Sequence, residues 1–190
     1  MNTNAILFIA IVLFCSKPAT AQVWNGNLVF TNQAEIDNFS FLSYTAVNGN
    51  LEIIDAADNQ HDITNLAGLA GLSSVSGNVV LMNNNLLSNT AFLNLTSVGS
   101  LFIESNNALT AVTAFSSVTT IGKLSIRNNP LLSDINGFAN LTKVNDSLTI
   151  ASNNNLTHLG AFSRLNEAGM LVIQNNPLLA NVNGLSALAK

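Results

Sequence analysis

Apolar residues recur along this chain in a triplet, Leu-x-Ile with small variations, whose outer two positions are apolar and whose middle one varies. It appears as Leu28-Val29-Phe30, Leu51-Glu52-Ile53, Val79-Val80-Leu81, Leu101-Phe102-Ile103, Leu124-Ser125-Ile126, Leu148-Thr149-Ile150 and Leu171-Val172-Ile173. The steps between first positions are 23, 28, 22, 23, 24 and 23 residues. Alternation with period two predicts a β-strand at each triplet, its outer residues pointing inward. Beyond the strand the spacing changes. Leu132, Ile135, Phe138, Leu141 and Val144 follow at every third position. That spacing suits a chain turning corners, since a helix of three turns needs i, i+3, i+4, i+7. A fixed period in this range predicts a β-solenoid, in which each unit is too small to bury its own core and stacks on its neighbours.

Polar positions repeat as well. Three residues after the last five triplets stand Asn84, Asn106, Asn129, Asn153 and Asn176, and three further on an apolar residue, Leu87, Leu109, Leu132, Leu156 and Leu179. Corners leave backbone amides and carbonyls facing the interior without strand partners. An inward asparagine carries both donors and an acceptor, so the column is expected to satisfy those groups and to bond the next unit's asparagine. The neighbouring Asn128, Asn154 and Asn175 are expected to face outward and to ease left-handed turns.

The first triplet is followed by Asn32-Gln33-Ala34-Glu35, which reads as a capping box, Asn32 bonding the amide of Glu35 and Glu35 reaching back. Ala34, Ile36 and Phe39 would turn one side of a short capping helix onto the first unit. One step is longer than the rest. Four extra residues between Ile53 and Ile63 make the loop from Asp55 to Asp62 bulge out, and inserted loops often carry function.

Before the repeats, the apolar run Ala5 to Cys15 is too short to span a bilayer, and Ala19-Thr20-Ala21 is a small-x-small cleavage signature. Residues 1–21 therefore read as a secretory signal peptide cleaved after Ala21, followed by a cap segment over 22–50 and repeats over 51–190, continuous as one domain. Cys15 is the single cysteine, so the mature chain would rely on its core alone, for which about 170 residues suffice. Six Lys and Arg stand against ten Asp and Glu, without a basic stripe, which argues against nucleic acid and anionic membrane surfaces as partners.

Catalytic chemistry finds little support. His61 and His158 fall in different units without a second histidine at ligand spacing. There is no Gly-rich phosphate loop and no Gly-x-Ser-x-Gly elbow. Asp55, Asp58, Asn59 and Asp62 could hold calcium, yet their spacing matches no defined calcium loop, so a solvated acidic loop is expected. The sequons at Asn38, Asn94, Asn140, Asn145 and Asn155 arise in part from the repeat itself. No catalytic, cofactor-binding or metal residue is expected. The candidate chemistry is instead a surface. The middle triplet residue and the one after the triplet point to solvent, which sets Ile54, Val80, Met82 and Phe102 into one apolar patch bordered by Glu104 and Arg127. Contiguous exposed apolar surface often marks a binding site.

The Asn-x-x-Leu spacing, as in Asn106-Asn107-Ala108-Leu109, resembles leucine-rich repeats and, more closely, the L domains of cell-surface receptors. That resemblance implies a right-handed β-helix of about seven 22–28-residue coils with a short N-terminal capping helix. The leader ending Ala-Gln and runs such as Asn128-Asn129-Pro130-Leu131-Leu132 look like secreted repeat proteins of Bacteroidetes bacteria. It implies a secreted or cell-surface module that binds a protein or glycan partner without catalysis. The alternative expectation is a structural stacking unit, or a fragment of a larger surface protein, that self-associates through its C-terminal unit. There Leu179, Val182, Leu185 and Leu188 are expected to meet water.

Overall fold

The computed structural model describes residues 21–55, 62–90 and 95–189. The leader over residues 1–20, Asp58, Asn59 and His61 of the inserted loop, and the sequon at Asn94 lie outside the described residues. The strands are β1 (Gln22–Asn25), β2 (Leu28–Phe30), β3 (Tyr44–Asn48), β4 (Leu51–Ile54), β5 (Ser74–Met82), β6 (Ser97–Glu104), β7 (Thr120–Ile121), β8 (Leu124–Arg127), β9 (Lys143–Ala151) and β10 (Glu167–Gln174). Between β2 and β3 lies the short helix α1 (Gln33–Phe39). All seven triplets lie in strands.

The strand pairing corrects the expected fold class. The strands form one ten-stranded sheet that runs β1-β3-β5-β6-β8-β9-β10, with β2 against β4, β4 also against β5, and β7 against β9. The pairings are parallel. The sheet is not closed or curled, so the right-handed β-helix of about seven coils is not what is observed. A parallel sheet with, among the described residues, one α-helix lies nearer the α/β class, although 3-10 turns occupy most connections where helices would lie in a doubly wound fold. The physical reason is that a repeat period fixes only how often the chain returns to the sheet. It carries no information on whether the sheet closes.

Within the sheet the repeat sets the register. Leu51 pairs Val79, Val79 pairs Leu101, Leu101 pairs Leu124, Leu124 pairs Leu148, and Leu148 pairs Leu171. All but Leu171 are fully buried. The long step leaves this pairing intact. Its returning arm is tied to α1, where Gln33 N–H donates to Asp62 at 3.0 Å and Gln33 Oε1 accepts from Thr64 N–H at 2.8 Å.

The connections stack as regularly as the strands. Phe138 lies over Phe115 and under Phe162, with ring centroids 5.7 Å apart and interplanar angles of 2° and 14°. A second column holds glycine two residues before the triplet. A Cβ on Gly99 would sit 2.6 Å from the Gly77 carbonyl oxygen, and one on Gly122 2.7 Å from that of Gly99. Neighbouring backbones therefore approach at this corner more closely than any side chain allows.

At the N-terminal end, Asn32 Oδ1 accepts from Glu35 N–H at 3.0 Å as expected, but Glu35 reaches back to Thr31 N–H at 2.7 Å instead of to Asn32. Ile36 and Phe39 are buried against the sheet, with the Phe39 ring 5.4 Å from that of Phe30. Ala34, expected on that face, is exposed.

Candidate functional site: the outer sheet face and the asparagine ladder

The asparagine column is a continuous hydrogen-bonded ladder. Asn84, Asn106, Asn129 and Asn153 are fully buried, and Asn176 half-buried. Each side-chain amide donates to a strand carbonyl of the preceding unit: Asn84 to Ile53 at 2.9 Å, Asn106 to Leu81 at 3.0 Å, Asn129 to Ile103 at 3.0 Å, Asn153 to Ile126 at 2.9 Å and Asn176 to Ile150 at 3.0 Å. Each Oδ1 accepts from the unit before. Asn106 Oδ1 takes the Asn84 backbone N–H at 3.0 Å and its Nδ2 at 3.2 Å, and Asn129 does the same for Asn106 at 3.1 and 3.2 Å. Asp55 heads the ladder, its N–H donating to Asn84 Oδ1 at 3.1 Å. With both amide ends engaged, these side chains have little capacity left for a ligand.

The left-handed residue is the one before each ladder asparagine: Asn83, Ser105, Asn128, Ser152 and Asn175, with φ between 54° and 60°. Asn128 and Asn175 fill the expected role. Asn154 is exposed but does not take a left-handed φ; Ser152 does so in its unit.

The outer face is set by the same register. Ile54 pairs Met82, Met82 pairs Glu104, Glu104 pairs Arg127 and Arg127 pairs Ala151. One row over, Glu52 pairs Val80, Val80 pairs Phe102 and Phe102 pairs Ser125. The candidate residues Ile54, Val80, Met82 and Phe102 are therefore adjacent, and each is half-buried, with part of its surface open. Lys123 Nζ lies 5.5 Å from the Phe102 ring centroid, a cation–π contact at the rim.

The border residues are more deeply placed than period two implies. Glu104 is only 9% exposed and Ser125 2%. Ser125 Oγ donates to Glu104 Oε1 at 2.7 Å, while Arg127 Nη2 donates to Glu104 Oε1 and Oε2 at 3.1 and 3.0 Å, and Arg127 Nε to Oε1 at 3.2 Å. Such a forked pair fixes both side chains. Arg127 remains exposed. Ala151 beside it is 3% exposed, so Ser125, Glu104 and Ala151, expected to face solvent, are covered. For Glu104 the partners are Ser125 and Arg127 on the neighbouring strand, which a reading of one strand at a time does not contain.

The other candidates separate from this face. Among the described residues no group of three or more His, Cys, Asp and Glu stands together to hold a metal ion. Of the inserted-loop acids, Asp55 is buried at the ladder head and Asp62 is engaged by α1. Among the described residues no helix is long and apolar enough to cross a membrane. No family model, curated protein or solved structure matches the chain.

Proposed function

We propose that this chain is a secreted or cell-surface binding module, without catalysis, that engages a protein or glycan through the outer sheet face. The observation that carries it is the adjacency of Ile54, Val80, Met82 and Phe102, half-open and bounded by the fixed Glu104–Arg127 pair. Flat apolar surface beside a rigid polar anchor suits an extended partner: apolar contact supplies affinity and the ion pair orientation. The leader signature supports export, and the likeness of the Asn-x-x-Leu repeat to leucine-rich repeats and receptor L domains supports binding as the purpose of the surface.

The test is a glycan array together with pull-down from surface-protein extracts, run with wild type and Phe102→Ser. Loss of capture in Phe102→Ser with an unchanged melting curve is the expected result. Capture that survives Phe102→Ser, or a collapse of its fold, would defeat the reading.

A further inference from the structure

Resting on the reading of the outer face as a binding surface, we infer that its partner is a glycan with a single carboxylated sugar among neutral ones. The sugar ring lies on Phe102 and its carboxylate is held by Lys123. Size selects the class of partner. From β4 to β8 the patch spans four strands and three outward positions along them, about 14 Å by 13 Å. A stable protein interface draws on about 800 Å² from each side, roughly four times that footprint. Two or three sugar rings fill it.

The rows of the face suit a pyranose, which has an apolar C–H face and a polar rim of hydroxyls. Val80 and Phe102 are register partners and supply the apolar part. Asn78 and Ser100 pair with one another in the row beside them. They share that face by alternation with the buried Val79 and Leu101. Their amide and hydroxyl stand where sugar hydroxyls would lie.

Charge selects the acid. Lys123 N–H is fixed by Ser100 Oγ at 3.0 Å, and Lys123 Nζ stands 5.5 Å from the Phe102 ring centroid. Among the described residues no carboxylate pairs with it: the ion pairs there are Arg127–Glu104 and Lys143–Glu167. An arriving carboxylate therefore gains a full charge partner without displacing an acid, and it draws Nζ off the aromatic ring. Arg127 gives Nε and Nη2 to Glu104, which leaves Nη1 for a second sugar oxygen.

The same charges exclude a dense polyanion. Glu104 already offsets Arg127. Glu52 pairs Val80 in register, two strand spacings or about 10 Å from Phe102, and among the described residues no cation pairs with it. A second acidic sugar toward β4 would meet this carboxylate. The chain as a whole carries a net charge of −4 and repels polyanions at long range.

The experiment is a glycan array with four kinds of member. These are oligosaccharides bearing one uronic or sialic acid, the same backbones with that carboxyl reduced to the alcohol, polyuronates, and sulfated polysaccharides. Wild type is expected to bind singly acidic members about tenfold more tightly than their reduced counterparts, the size of one charge-assisted hydrogen bond. High salt should erase that preference by screening, a readout that needs no variant. Lys123→Gln is expected to erase it with an unchanged melting curve, and Lys123→Arg to keep it. Equal binding of acidic and reduced members, a preference that survives Lys123→Gln, or tightest binding to polyuronates or sulfated chains would overturn the acidic sugar. Each of those would leave the outer face a binding surface, as would Phe102-dependent capture of a protein with no glycan bound. No Phe102-dependent capture of any kind would overturn both.

Discussion

Asn129→Leu tests the ladder at its centre. Leucine has the same branching and number of side-chain heavy atoms as asparagine, so no cavity arises and the main loss is polar. Asn106 N–H and Asn106 Nδ2 both lose their acceptor, Asn129 Oδ1, now at 3.1 and 3.2 Å, and the Ile103 carbonyl loses a donor at 3.0 Å. Each buried group left unsatisfied costs about 1–3 kcal/mol, so the two Asn106 donors alone give about 2–6 kcal/mol. Apolar transfer of the leucine offsets roughly 1–2 kcal/mol of that. The net loss is about 1–4 kcal/mol, or roughly 2–16 °C in melting temperature for a domain of this size. Urea denaturation followed by circular dichroism reads it directly. Asn176→Leu is the comparison. Its amide makes the same kinds of bond but is half-buried, so water replaces part of what is lost and the cost falls below about 1 kcal/mol. Asn128→Gly should be neutral or stabilising, because Asn128 is exposed at φ 56°. Equal losses for Asn129→Leu and Asn176→Leu would refute the reasoning, since burial would then have no bearing on the ladder.

Three further outcomes are expected. Gly99→Ala places a methyl 2.6 Å from the Gly77 carbonyl oxygen and should cost about 1–3 kcal/mol by overpacking; an unchanged denaturation midpoint would show that the corner opens freely. Phe138→Ala removes the central ring of the stack and should cost about 3–5 kcal/mol, well above Phe41→Ala on a 78% exposed ring; similar values would mean the stack adds nothing to stability. Glu104→Gln removes the charge partner of Arg127, and hydrogen–deuterium exchange in β8 should rise while the core strands stay protected; no change in β8 would show that the forked pair does not fix the face.

Much of the local structure was written in the pattern. The Leu-x-Ile triplets marked the strands because alternation is a property of one strand, and the ladder asparagines were visible because a buried corner needs the same polar groups in every unit. What depends on neighbouring strands was not visible. Sheet closure was misread because return distance alone does not report curvature. The burial of Glu104 depends on Arg127, 23 residues later. The left-handed position was legible at Asn128 and Asn175 but not at Ser105 and Ser152, because serine shares it with asparagine and no single residue type flags it. The glycine column did carry a usable signal: Gly26, Gly49, Gly77, Gly99, Gly122 and Gly169 each stand two residues before a triplet. Only Asp146 departs from the series.

The ladder has a direction, and direction matters on the ribosome. Every backbone N–H in the column waits for an oxygen carried by the unit that follows it: Asn84 for Asn106, Asn106 for Asn129, Asn129 for Asn153. A nascent chain therefore cannot finish a corner when that corner has been made. It finishes it one unit late, after a further 22–24 residues have emerged, which at ordinary synthesis speed is a lag of about 1–5 s. During that interval the newest corner is an unpaid debt of polar groups, and the growing end is held open to the next unit made rather than sealed on itself.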